Sequence, residues 1–218
     1  MGNRCNYKEP RFDLCENLAN LVLYSSELTC TTIETKNLTV GEDIVFDSMQ
    51  EFIRLTGADL ERFMHNDGYL KDACTLKYGN IYNILYNENA DKRRLNWSIA
   101  HELGHVLLGH DTNPKCDKKY CKNKNICNIE EVEAHWFAAQ LLMPEYIIFI
   151  MRKTIKDLDE KDIYFLFNVS EDAALKRIKN TSSKTIRCTS IDQTIFNRLK
   201  NNLECYFYNR EFLRGDVV

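Results

Sequence analysis

Three side chains within residues 101–105 have the types and spacing of a metal centre. The segment reads His-Glu-Leu-Gly-His, and in a helix His101 and His105 stand one turn apart on the same face. Both imidazoles can therefore bind one metal ion without backbone strain. Glu102 lies roughly 100° around the helix, from where its carboxylate can reach a water molecule on the metal without being a ligand. The pattern indicates a metal centre that can activate water.

A zinc centre of this kind needs a third protein ligand and an open position for water. The next apolar segment offers three acids, Glu130, Glu131 and Glu133, and His135 follows Glu131 by four residues on the same helical face. One carboxylate would complete a His, His, Glu set. The acids also suit a solvated first turn that complements the helix dipole, and both interpretations can hold together.

Two apolar helices must position these residues. The pattern predicts one helix over 95–109, ending near Gly109, and a second over 129–143, stopped by Pro144. Gly104 inside the first helix costs ~1 kcal/mol relative to Ala. Its presence there predicts that another element packs closely over the site.

The rest of the chain is predicted to be mostly helical, with one β-hairpin. The hairpin is expected from the two apolar runs Cys74–Tyr78 and Ile81–Tyr86, because Gly79-Asn80 between them is a two-residue turn signal. Helical patterns cover 11–24, 47–65 with a break at Gly57, 145–156, 159–167, 170–180 and about 191–204.

Composition is that of an ordinary soluble globular protein, with 44% apolar and 28% charged residues among 218. The longest aliphatic and aromatic run, Tyr146–Met151, is far shorter than the ~20 residues that a bilayer span needs. The N-terminus has no apolar stretch of the secretory type, so we expect a cytoplasmic protein with no membrane. A net charge of −3 argues against nucleic-acid binding by the whole chain.

Charge is distributed unevenly along the chain. The first 150 residues hold 16 basic and 22 acidic side chains, whereas the last 68 hold 13 and 10. This asymmetry predicts a catalytic part over 1–150 and a small helical appendix with a tail over 151–218.

The two helical motifs together resemble the ImmA/IrrE family of zinc-dependent proteases. The resemblance is carried by HELGHVLLGH and EVEAHWFAAQLLMP, and it covers roughly residues 68–180. It implies an α+β, zincin-like (gluzincin-type) metalloprotease domain with a small β-sheet or hairpin. In that arrangement His101 and His105 bind one zinc ion, Glu102 is the general base and Glu131 is the third ligand, with Glu133 as the alternative.

One position departs from the family pattern. His135 stands where Asn or Asp is usual. A histidine there can orient a ligand imidazole through a hydrogen bond, or it can compete for the metal, and the sequence does not choose between these roles.

The resemblance also implies a mechanism, in which Glu102 takes a proton from water and passes it to the leaving amine. Candidate oxyanion donors are Tyr82, Tyr86, Tyr146 and His110, among which nothing in the sequence chooses. The strand Ile81–Tyr86 is a candidate edge for holding an extended substrate.

The substrate class implied by the family is a helix-turn-helix transcriptional repressor, cut at a specific site so that mobile-element or stress genes are derepressed. The alternative is a non-proteolytic regulator that uses the zinc fold to bind a partner protein or DNA. Residues 159–180 resemble a helix-turn-helix unit, which suits recognition of DNA or repressor. Because the basic excess is small, we favour a helical cap on the zinc domain. No small-molecule cofactor is evident.

Nine cysteines are present, and Cys116, Cys121 and Cys127 cluster in a Lys-rich segment between the two helices. With His110 they could form a second, structural zinc site or a redox-sensitive clamp. The spacing lacks the Cys-x2-Cys knuckle, so we expect free thiols in a reducing compartment.

Overall fold

A computed structural model of the protein describes residues 9–65, 67–110, 124–181 and 188–215. Within these ranges the chain is a mixed α+β structure in which helices surround one small sheet. The helices are α1 (Phe12–Ser25), α2 (Met49–Thr56), α3 (Lys92–Leu107), α4 (Lys124–Leu142), α5 (Glu145–Thr154), α6 (Glu160–Phe167), α7 (Glu171–Asn180) and α8 (Ser190–Arg214). The strands are β1 (Ile44–Ser48), β2 (Ala73–Tyr78) and β3 (Ile81–Tyr86).

The three-stranded sheet contains the predicted hairpin and a third strand, β1, at the end of a segment whose sequence pattern is poorly periodic. β2 and β3 pair antiparallel around a turn in which Gly79 has a φ of 60°, a conformation that glycine adopts at little cost. β1 pairs parallel with β3 on the other side, giving the order β1-β3-β2. β3 is therefore the central strand, paired along both edges. The prediction that Ile81–Tyr86 offers a free edge was wrong, because β1 and β2 are the two edge strands of this sheet.

α3 and α4 pack against each other along the middle of the core. A Cβ atom on Gly104 would lie 3.0 Å from Phe137 Cδ1 and 3.2 Å from Ala134 Cα. The close packing predicted from Gly104 is thus confirmed, and the element over it is α4. α1 covers the other side of α4, where Trp136 Nε1 donates to Glu16 Oε1 at 2.9 Å.

The helices after α4 join the same hydrophobic core. The expected boundary near residue 150 falls inside α5, and buried side chains from both parts, such as Leu103 and Leu199, belong to one cluster. α6 and α7 are joined by a short turn at Asn168, whose φ of 52° is left-handed. Arg177 of α7 is buried and donates from Nε to Met143 O at 3.0 Å, which fastens α7 to the end of α4. This helix pair is the unit for which a helix-turn-helix-like character is predicted.

α8 is longer than the sequence predicted, and it is held by an ionic cluster at Asp162. This carboxylate of α6 is fully buried and accepts hydrogen bonds from Tyr206 at 2.9 Å, Arg210 at 2.7 Å and Arg214 at 3.0 Å. Burial alone would raise the pKa of Asp162, but these bonds outweigh it and lower the pKa. Both arginines lie beyond residue 204, which explains why the helix continues to Arg214.

The described cysteines are free thiols, at positions 15, 30, 74, 188 and 205. Cys116 and Cys121, and the side chain of Cys127, lie outside the described part of the chain. Burial raises the pKa of the Cys15 thiol to about 12, and that of Cys74 likewise to about 12. Both groups are therefore kept as neutral thiols at physiological pH.

Among the described residues no single helix is long and apolar enough to cross a bilayer. The helical segments Asn128–Leu142 and Glu145–Thr154, which are bent by 50° relative to each other, have the length and apolar composition of a membrane span only when they are counted together.

Candidate metal centre

Two imidazoles face each other at the surface where α3 meets α4. Asp91 caps the N-terminus of α3: its side chain accepts hydrogen bonds from the backbone N–H groups of Arg93 and Arg94 at 3.1 Å each. Further along this helix, His101 Nε2 and His105 Nε2 lie 3.1 Å apart. One turn of helix thus aims both ring nitrogens at a common point.

Glu131 approaches that point from α4. Its Oε2 lies 3.5 Å from His101 Nε2 and its Oε1 lies 3.7 Å from His105 Nε2. Ligands at 2.0–2.2 Å around a tetrahedral ion are separated by about 3.3–3.6 Å, and the distances of 3.1, 3.5 and 3.7 Å between these donor atoms lie close to that range. Glu131 is partly exposed, with 32% of its side chain accessible, which leaves an approach from solvent. The donor set therefore fits a four-coordinate metal with an open position.

Glu102 lies beside this cluster, half-buried next to β2. Thr75 Oγ1 of β2 donates a hydrogen bond to Glu102 Oε2 at 2.7 Å. Burial raises the pKa of Glu102, an effect that the Thr75 bond and the nearby His101 only partly oppose. A carboxylate with a raised pKa next to a metal position is suited to accept a proton.

The imidazole of His105 is kept neutral, which is the form that binds metals. Burial and the neighbouring His101 and His110 rings lower the pKa of His105. Burial also lowers the pKa of His110, although its contact with Glu133 works in the opposite direction.

Glu133 points to the opposite side of α4 from Glu131. Its carboxylate is 0% exposed and receives three hydrogen bonds from Arg11: from the backbone N at 2.6 Å, Nε at 2.9 Å and Nη2 at 2.7 Å. Burial alone would raise the pKa of Glu133, but the Arg11 bonds lower it to about 2. The structure therefore brings Glu131, and not Glu133, next to the two imidazoles.

His135 lies at the exposed rim of the centre. Its ring centroid is 4.4 Å from that of His101, and its ligand atom lies within 4.8 Å of those of His101 and Glu131. It is thus close enough to act on His101 or on a bound ion, the two roles that its position in the motif left open.

The aromatic candidates for oxyanion stabilisation occupy different places. Tyr82 and Tyr86 lie on β3, and the Tyr82 hydroxyl accepts from Lys77 Nζ at 2.6 Å. Tyr146 lies on α5 and packs against Phe196, with ring centroids 6.3 Å apart. His110 is buried with both ring nitrogens in contact with other side chains, which removes it from the oxyanion candidates.

Sequence reasoning missed the contribution of Arg11 altogether. This residue precedes α1 and is 122 positions away from Glu133, so no local pattern could link them. The sequence contained one indication of this network: His110 is the last residue of the HELGHVLLGH segment and follows His105 by five residues. That spacing allows the two rings to meet where α3 ends.

The IrrE N-terminal-like domain model of the peptidase M78 family matches residues 57–179. This range is more than half of the 218 residues, and the chain belongs to this ImmA/IrrE-type metallopeptidase family. The chain is also similar to "Uncharacterized immunity region protein 2" of Bacillus phage phi105, with 29% identity over 79 residues, or 35% of this chain. That alignment spans 48% of the phage protein, about half its length. The family match includes α3 and α4, and Arg11 lies outside it.

Proposed function

We propose that the protein is a zinc-dependent endopeptidase that makes a site-specific cut in a partner protein, a helix-turn-helix transcriptional repressor. The observation that carries the proposal is the convergence of His101, His105 and Glu131 beside the Glu102 carboxylate. Family membership supports the metallopeptidase class, and the phage relative, an immunity region protein by name, supports a repressor as substrate.

His101, His105 and Glu131 would hold the zinc ion through two neutral imidazoles and a carboxylate, a donor set that suits zinc. Bound there, zinc would lower the pKa of water toward ~7 and polarise a peptide carbonyl. The partial exposure of Glu131 gives substrate a route to this point.

Glu102 performs the proton transfers. The Thr75 hydroxyl holds Oε2, so we assign proton acceptance from the attacking water to Oε1. Burial that raises the Glu102 pKa increases its proton affinity, and the same carboxyl then delivers the proton to the leaving amine.

β2 is the strand that would hold an extended substrate. It lies at the edge of the sheet, and Thr75 in its middle contacts Glu102. A peptide that pairs with this edge through main-chain hydrogen bonds would run past the metal position. Such pairing would bring the scissile bond near Glu102.

The test is cleavage of a co-expressed helix-turn-helix repressor by wild type and by Glu102→Gln. We expect the variant to bind zinc as wild type does and to lose cleavage by about 10²–10⁴-fold, the usual contribution of a general acid–base group. Glu204→Gln is the control, because this glutamate of α8 is 61% exposed. Equal cleavage by wild type and Glu102→Gln would refute the catalytic role. Repressor binding without cleavage by either protein would favour the non-proteolytic regulator.

A further inference from the structure

A line of buried polar contacts leads from His105 away from the metal position. His105 Nδ1 lies 2.9 Å from His110 Nδ1, and His110 Nε2 lies 2.8 Å from Glu133 Oε2. Arg11 Nη2 ends the line at 2.7 Å from the same oxygen. The His110 and Glu133 side chains are 1% and 0% exposed, so solvent does not compete for these contacts.

The placement of protons along this line follows from the metal position at His105. If the lone pair of His105 Nε2 faces a metal, the proton of that neutral ring is on Nδ1, which then donates to His110 Nδ1. His110 accepts there, so its own proton is on Nε2 and is donated to the Glu133 carboxylate. Each donor in this line has an acceptor, and each acceptor has a donor.

Arg11 keeps the far end of the line charged. Its three hydrogen bonds hold Glu133 as a carboxylate, and Nη2 also donates to Leu108 O at 3.3 Å, near the end of α3. A charged acceptor gives shorter and stronger hydrogen bonds than a neutral one. The charge on Glu133 therefore strengthens the bond from His110 and, through it, the bond from His105.

We propose that His110, Glu133 and Arg11 are positioning residues that fix the ring orientation and the proton of His105 for metal binding. The proposal rests on the metal centre proposed above and adds three supporting residues, of which Arg11 lies outside the matched family region. The two histidines differ in this respect. Within the described residues His101 Nδ1 is buried without a hydrogen-bond partner, so the support acts on His105.

Two substitutions at His110 separate its two contacts. His110→Asn retains an oxygen near the position of Nδ1, which can still accept from His105. His110→Gln retains a polar group near the position of Nε2, which can still reach Glu133 but not His105. We expect His110→Gln to weaken zinc binding by about 10–100-fold, the usual cost of losing a partner of a ligand histidine, and His110→Asn to retain most of the affinity. Competition with a fluorescent zinc chelator measures both.

Asp162→Asn is the matched control for Glu133→Gln. Each change neutralises a buried carboxylate that is paired with arginine, but only Glu133 contacts His110. Both variants should lose thermal stability, whereas only Glu133→Gln should lose zinc affinity. Cobalt substitution gives a second readout, because altered ligand-field absorption reports a displaced His105.

Nitrogen-15 NMR of the zinc-loaded protein tests the proton placement directly. We expect protons on His105 Nδ1 and His110 Nε2. A proton on His110 Nδ1, or equal zinc affinities for His110→Asn, His110→Gln and wild type, would overturn the proposal. Failure of the wild-type protein to bind zinc would instead overturn the metal centre itself, so the two failures are distinguishable.

Discussion

Gly104 lies between the two histidines, at the contact of α3 with α4, and its replacement by alanine tests the geometry of the site. The added methyl group would meet Phe137 Cδ1 at 3.0 Å, Ala134 Cα at 3.2 Å and Ala134 O at 3.3 Å. The phenyl ring can turn away, but the Ala134 atoms are backbone. Relief therefore requires the two helices to separate by a few tenths of an ångström.

Such a separation acts on the metal position because Glu131 precedes Ala134 by about one turn of α4. Alanine in place of Gly104 gains about 1 kcal/mol of helix propensity, while overpacking costs about 1–3 kcal/mol. The net effect is a loss of about 0–2 kcal/mol, or a Tm lower by no more than ~8 °C for a chain of this size. If the metal-bound form retains ~1.4 kcal/mol of the strain from the added methyl group, zinc binding weakens about tenfold.

The assay pairs thermal unfolding of the metal-free protein with zinc affinity from chelator competition. A series of alanine, serine and valine at position 104 should show a graded decrease in both. Zinc affinity should fall even where the Tm changes little, because the ligand distances depend directly on the helix separation.

An alanine variant with a Tm raised by ~2–4 °C, as helix propensity alone predicts, and with unchanged zinc affinity would refute this reasoning. That result would mean that α3 and α4 are not in close contact at Gly104.

The ionic cluster that holds α8 and the metal centre can each be tested by their effect on stability. Asp162→Asn should lower the free energy of unfolding by ~3 kcal/mol, since it removes the fully buried carboxylate with which the half-buried guanidinium groups of Arg210 and Arg214 are paired. The depressed pKa of Asp162 means that this stabilisation is present above about pH 4 and is lost as the pH falls through the lower folded value. The difference between wild type and variant in urea unfolding should therefore shrink below pH ~4, and a constant difference would contradict the ion-pair assignment. Removal of zinc by EDTA should lower the Tm by ~5–10 °C from its value at free zinc near 100 times Kd, and an unchanged Tm would argue against the metal centre.

The hairpin and α3 could be predicted because their signals are local. Gly79-Asn80 marks the turn between two apolar runs, and the apolar pattern around His101 and His105 marks the helix. The position of β1 could not be predicted because its partner is β3, nearly 40 residues later in the chain, and two of its five side chains are exposed. A short strand with a distant parallel partner leaves no periodic pattern to read.

The length of α8 was underestimated for a related reason. The apolar pattern predicted a helix to about residue 204, and the structure continues it to Arg214. The last turns are held by the pairs of Arg210 and Arg214 with Asp162, a contact across about 50 residues. Polar contacts of this range cannot be inferred from helical periodicity.

The sequence alone showed which chemistry is available: two histidines one turn apart, a glutamate beside them and further carboxylates in the next helix. It also indicated, through Gly104, that a second helix must pack closely on the first. Local spacing treats Glu131 and Glu133 as near equivalents, and it is the tertiary structure that shows Glu131 to lie beside the histidines. Arg11 binds Glu133 from 122 residues away, while the packing of α4 on α3 turns Glu131 toward the histidines. Spacing along a helix thus determined the candidates, and long-range packing assigned each carboxylate to its place.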